Sequence, residues 1–264
     1  MANIVPVSAS GHAGKAWRHP TGFAFAAAQA VVPLVGAEFG RAALSMPIAF
    51  VEQAGLYLPV GVMSPVSGRN FFVGPAGQWL GTYVPAALRS YPFRLGRVEG
   101  GEEVALCIDE DSGLVVEADG VAEAFFDADG TRSATSQGML DFLLAMEHSR
   151  TITELAVTAA AEAGLIEPWP IQVKIDGDMT PVKGLFRINE AALNALDDAA
   201  FLKLRKTGAL PLAYLQLLSI GQMSVFERLA ATQKQLGQAH QQLQRISSLD
   251  ELFANAKNET LRFN

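Results

Sequence analysis

Ile48-Ala-Phe-Val51 and Tyr57-Leu-Pro-Val-Gly-Val62 are short apolar runs rich in β-branched and aromatic residues, and both read as strands. Just upstream, residues 38–45 suit a short helix. Pro47 ends it, because proline disfavours helical geometry in the residue before it. Just downstream, Asn70-Phe-Phe-Val73 and Trp79-Leu-Gly-Thr-Tyr-Val84 are β-prone, and Gly74-Pro-Ala-Gly77 between them has turn chemistry. A hairpin is expected there. Residues 85–90 suit one helical turn before Pro92. A further strand pair is expected at 104–109 and 113–117 around Glu110-Asp-Ser112, and Phe125-Phe126 leads into the turn Asp127-Ala-Asp-Gly130.

Beyond that point the pattern turns helical. Thr135 or Ser136 can cap a helix through Glu147, with Met139, Phe142, Leu143 and Met146 on one face. Thr151 and Glu154 form a capping-box pattern for a second helix that closes at Gly164. Residues 171–175 and 182–188, flanking Asp176-Gly177, suit another hairpin. Asn189 caps a helix to Leu196, and Asp197 caps the next, which stops at Gly208. Residues 212–223 are almost wholly apolar, too short to span a bilayer, and read as a buried helix. The sum is an α+β fold, with antiparallel hairpins mainly in the N-terminal half and helices mainly in the C-terminal half.

A C-terminal amphipathic helix completes it. Leu229, Thr232, Leu236, Ala239, Leu243 and Ile246 alternate three- and four-residue spacings, as a coiled-coil seam does. That stripe suits either a homodimer or packing on the chain's own domain. Ser248 and Glu251 look like a fresh capping box. The expected division is a mobile arm over 1–30, an α+β domain over 31–221 and a Gln-rich helical tail over 222–264.

Of the 264 residues, 50% are hydrophobic and only 18% charged, and the net charge is −7. Such a chain folds around a sizeable core, and the acidic balance argues against nucleic acid as a partner. The lone cysteine, Cys107, lies in an apolar run and reads as a buried, inert thiol. Residues 22–37 resemble a signal-peptide core, but Gln29 and Pro33 interrupt them, so a cytoplasmic protein without a membrane span is expected.

His12, His19, His148 and His240 do not combine at metal-ligand spacing. There is no Gly-x-Ser-x-Gly elbow and no phosphate loop. Asp127-Ala-Asp-Gly130 fails as a calcium loop because its glycine falls at position four rather than six. No catalytic residue, metal or cofactor is therefore expected. The densest polar-aromatic stretch spans 79–97, with Trp79, Tyr83, Arg89, Tyr91, Arg94 and Arg97. Arginine forks bind carboxylates or phosphates and aromatic faces stack on sugars. With Asn70 and Glu38, these residues are expected around a cleft for a small anionic or sugar-like ligand. Alternatively, the aromatics fill the core while the arginines pair with Glu38, Glu99 or Glu102. A third arrangement is an enzyme in which Glu38 or Asp109 is the base and Arg89 or Arg94 clamps an anionic substrate.

Several strings together resemble the SapC family of bacterial proteins: Val32-Pro-Leu-Val-Gly-Ala-Glu38-Phe, Met46-Pro-Ile-Ala-Phe50, Gln78-Trp-Leu-Gly-Thr-Tyr-Val-Pro-Ala, Leu88-Arg-Ser-Tyr-Pro-Phe93, Leu165-Ile-Glu-Pro168 and Gly184-Leu-Phe-Arg-Ile-Asn-Glu190. The similarity covers roughly residues 31–228. The resemblance implies an accessory protein of a nutrient-uptake or surface system, encoded near TonB-dependent receptors, and supplies no catalytic residues. Its name also implies a surface-layer structural protein, which the lack of an export signal disfavours.

Overall fold

The computed structural model describes residues 3–97, 104–175 and 178–258. The two opening runs form the hairpin Ile48–Gln53 and Leu56–Val62. Its two-residue loop places both Ala54 and Gly55 at positive φ, 52° and 79°, matching the right-handed twist of the strands. This hairpin is the centre of a five-stranded antiparallel sheet, flanked by Val31–Pro33 on one side and by Phe186–Ile188 and Ile166–Pro168 on the other.

Helices Ala134–Glu162, Asp198–Thr207 and Ala209–Ser219 pack on one another and against this sheet. Ala156, Val157 and Ala160 of the first, Leu204 of the second and Leu210, Leu212 and Ala213 of the third enter one core with Ile48, Phe50 and Val60. Polar clamps fix helix Ala209–Ser219 to the sheet. Gln216, fully buried, donates to the Ile48 carbonyl and accepts from the Ile188 amide, both at 3.0 Å. The Ser219 hydroxyl accepts from the Ile48 amide at 2.9 Å. Buried amides and hydroxyls are tolerated when satisfied in this way.

A second, smaller core holds Trp17, Phe93, Leu106, Ile108 and Phe125, with Met139, Leu140 and Leu143 of the long helix packed on it. The long helix therefore joins the two cores.

The α+β class is as expected, and the caps at Asn189 and Asp197 and the left-handed Gly208 terminator fall where the sequence puts them. Five local expectations are corrected. The expected mobile arm over 1–30 is, in its described part from residue 3, built into the fold: Ile4–Pro6 pairs with Val104–Asp109, and Lys15–Trp17 lies between Val115–Glu117 and Glu123–Ala124. Consequently Val104–Asp109 and Val115–Glu117 do not pair with each other. Residues 70–84 make only one bridge, Val73 with Trp79, because Asn70 and Trp79 bond through side chains. The helices expected to meet near 150 are one, Ala134–Glu162, capped by Ser133; Arg150 holds the junction through ion pairs with Glu147 and Glu154, one helical turn before it and one after. Ile171–Ile175 pairs with Asp178–Val182 while Phe186–Ile188 joins the main sheet; the turn at 176–177 lies outside the described residues.

The tail is also revised. Helix Val225–Asn258 runs without a break past Ser248, so no new helix starts there. Val225, Phe226 and Leu229 are buried in the main core, so the domain extends past 221. Helical structure is nearly continuous from Ala209 to Gln242, long and apolar enough by length and composition to cross a membrane. The expectation from a 12-residue run was too short for that reason. Its first two turns bury Ala209, Leu210, Leu212 and Ala213 in the core.

Candidate functional site

The fold opens a cleft of about 710 Å³ between the loop after strand Val31–Pro33, the segment from helix Ala86–Arg89 into strand Phe93–Arg97, and the middle of the long helix. Its apolar lining comes from Phe25, Val32, Pro33, Leu88, Leu143 and Met146. Its polar rim carries Gln29, Tyr91, Arg94, Asp109, Glu147 and Arg150.

Each wall is held by local bonds. The loop turns into Gly36–Glu38, a single 3₁₀ turn whose amides would otherwise lack partners. The long helix supplies them: the Gly36 amide donates to Thr153 Oγ1 at 2.7 Å and the Ala37 amide to Ser149 Oγ at 3.3 Å. Glu38, 4% exposed, is the clamp behind the wall. One carboxylate oxygen accepts from the Tyr83 hydroxyl and from the Ala86 amide, both at 2.6 Å, and the other accepts from the Val35 amide at 3.3 Å. Three donors satisfy a buried charge that would otherwise be costly. Burial, followed by the bond to Glu38 and its charge, pushes the Tyr83 phenol up to about 12, against the opposing pull of Arg89.

Tyr91 stacks on Phe25 with ring centroids 3.9 Å apart and planes within 9°. Its phenol is also pushed up, by burial first and by the Asp109 charge second, with Arg94 opposing. Arg94 is opposite Cys107 in the sheet, on the same face as Asp109 two residues on. The charges of the rim are unequally matched. Arg150 binds Glu147 with two nitrogens, at 2.7 and 2.6 Å, and also pairs with Glu154. Asp109 accepts from the Asn3 amide at 3.0 Å and the Asp111 amide at 3.2 Å. Arg94 is exposed and forms no ion pair among the described residues.

The seven candidate residues thus separate. Tyr91 and Arg94 line the cleft. Glu38 and Tyr83 stand behind it. Arg89 lies to one side, donating to the Val84 carbonyl at 3.2 Å with its guanidinium 5.1 Å from the Phe142 ring. Trp79 is packed between Phe72 and Phe23, and its indole N–H donates to the Tyr83 carbonyl at 3.0 Å. Asn70 is buried elsewhere: its amide donates to the Ala26 carbonyl and its oxygen accepts from the Phe72 amide. It borders a separate groove beside the tail helix, where Gln233 donates to the Asn70 and Val73 carbonyls. Glu147 and Arg150 join the cleft without having been singled out. Their spacing with Glu154 along one helix face was the available signal. Arg97 has no described side chain. Among the described residues no three His, Cys, Asp or Glu side chains converge as a metal site would require.

The family model described as SapC matches residues 7–226. No curated protein and no solved structure matches the chain.

Proposed function

The chain belongs to the SapC family, and we propose that it is a non-enzymatic accessory protein that binds a small ligand in the Tyr91–Arg94 cleft. Arg94, exposed on the rim of a partly apolar cleft and without an ion pair among the described residues, carries this reading. The two carboxylates that an enzyme would need as a base support binding over catalysis. Glu38 is enclosed by three donors, one oxygen of Asp109 is held by two backbone amides, and among the described residues no hydrogen-bonded base or cation activates either carboxylate. The proposal extends to context: a cytoplasmic protein serving a bacterial uptake or surface system, with a functional link to TonB-dependent receptors.

The test is a thermal-shift screen of the full chain against small anions and sugars. A ligand that binds only the folded state raises Tm with concentration. At least one such ligand is expected, and Gln29→Trp, which fills the cleft mouth from an exposed position, should abolish its effect. A shift that survives Gln29→Trp puts the site elsewhere, and no shift with any compound refutes a ligand-binding role.

A further inference from the structure

We propose that the cleft takes a monoanion with an apolar body, such as a medium-chain or aryl carboxylate, with Arg94 gripping the anionic head. The inference rests on the ligand-binding reading of the cleft and narrows it to one chemical class.

A sugar site needs a free aromatic face and polar groups able to pair with several hydroxyls. Neither is present. One face of Tyr91 is already covered by Phe25. Trp79, the other natural platform, is packed against the core between Phe72 and Phe23 with its N–H spent on Tyr83. Of the carboxylates that would accept sugar hydroxyls, Glu147 is engaged by Arg150, and Asp109 has one oxygen taken by the Asn3 and Asp111 amides. Among the described residues Arg94 is the rim cation without an ion pair, and apolar side chains form the opposite wall. The Arg94 guanidinium offers a planar fork that matches a carboxylate or phosphate bidentately. Across the cleft, Leu143 and Met146 are one helical turn apart and present only partly buried hydrocarbon and thioether surface. A ligand that satisfies both must be charged at one end and apolar along the rest.

Isothermal titration of the full chain at low salt tests this with four probes: decanoate, octyl glucoside, inorganic phosphate and glucose, the amphiphiles kept below micelle formation. Decanoate should bind one site tightly and the other three weakly or not at all. Arg94→Gln should weaken decanoate about tenfold or more, the usual weight of a charge-assisted bond. Arg94→Glu should weaken it further, and Met146→Glu, which sets a like charge against the ligand, should do the same. Lys203→Gln, a remote exposed cation paired with Glu162, should change nothing. Equal binding of octyl glucoside and decanoate, lost in Met146→Glu but unchanged in Arg94→Gln, would overturn the anionic head while leaving a cleft ligand intact. Phosphate binding as tightly as decanoate would overturn the apolar body, and preferred glucose would overturn both halves. Decanoate binding that ignores all cleft variants would overturn the inference together with the reading it rests on.

Discussion

Glu38→Ala tests the clamp behind the cleft. The substitution removes the acceptor for three donors. Two of them, the Val35 and Ala86 amides, belong to residues 7% and 1% exposed and cannot turn to solvent. A buried donor left without a partner costs about 1–3 kcal/mol, so the pair costs about 2–6 kcal/mol. Tyr83 is only half-buried and can rehydrate its hydroxyl, so it adds little. Against a total stability of about 5–15 kcal/mol, the loss is large. Glu38→Gln separates charge from connectivity. Its carbonyl oxygen can still face Tyr83 and Ala86, but its NH₂ then meets the Val35 amide donor to donor, so about 1–3 kcal/mol is expected. Urea unfolding of the three proteins gives these differences, provided m is unchanged. Ultraviolet titration of tyrosine adds a second readout: without the Glu38 charge, the phenol now near 12 should titrate lower in Glu38→Gln. The reasoning fails if Glu38→Ala unfolds within 1 kcal/mol of the parent, or if Gln proves as damaging as Ala.

Acid should loosen the N-terminal core. His12 is 2% exposed with no hydrogen bond at Nε2, and burial, outweighing the attraction of Glu110, lowers its pKa from 6.5. The unfolded chain therefore takes up a proton first as pH falls below 6.5, and stability should decline from there down to the folded pKa. Denaturation midpoints at pH 7 and pH 5 check this, and His12→Phe should flatten the difference. Gly22→Ala should lower stability by about 1–3 kcal/mol in thermal melts, since a Cβ there would lie 2.8 Å from the Gly77 carbonyl oxygen that bonds the Phe23 amide. The tail helix should mediate a homodimer through its portion beyond Gly237. Light scattering should give a dimer for the full chain and a monomer for a version ending at Gln238, and two monomers would refute the dimer.

Legibility followed the range over which each signal acts. Asn189, Asp197 and Gly208 were readable because caps are set by neighbours three or four residues away. Ile4–Pro6 and Lys15–Trp17 were not. Each is three residues long, and their partners lie about a hundred positions on, where nothing local reveals the pairing. Phe71, Phe72 and Trp79 read as strand because aromatic residues favour sheets through burial; here burial came without a ladder. In the cleft, Tyr91 and Arg94 were found because both lie in one arginine-aromatic stretch. Glu147 and Arg150 reach it from the middle of the long helix, where the capping-box reading had cut the helix in two.

Gln216 and Ser219 give the fold a direction in time. Strand Ile48–Gln53 leaves the ribosome early, yet its first residue bonds to side chains about 170 positions later. Until those side chains emerge, the central strand of the sheet carries an unmatched amide and carbonyl and an uncovered apolar face. The nascent chain must therefore wait, exposed, for nearly its whole length, which slows closure and invites association with other unfinished chains. A premature stop before 216 would remove more than a tail. It would leave the central strand of the sheet without its last partner, and quality control would meet an incomplete core rather than a shortened protein.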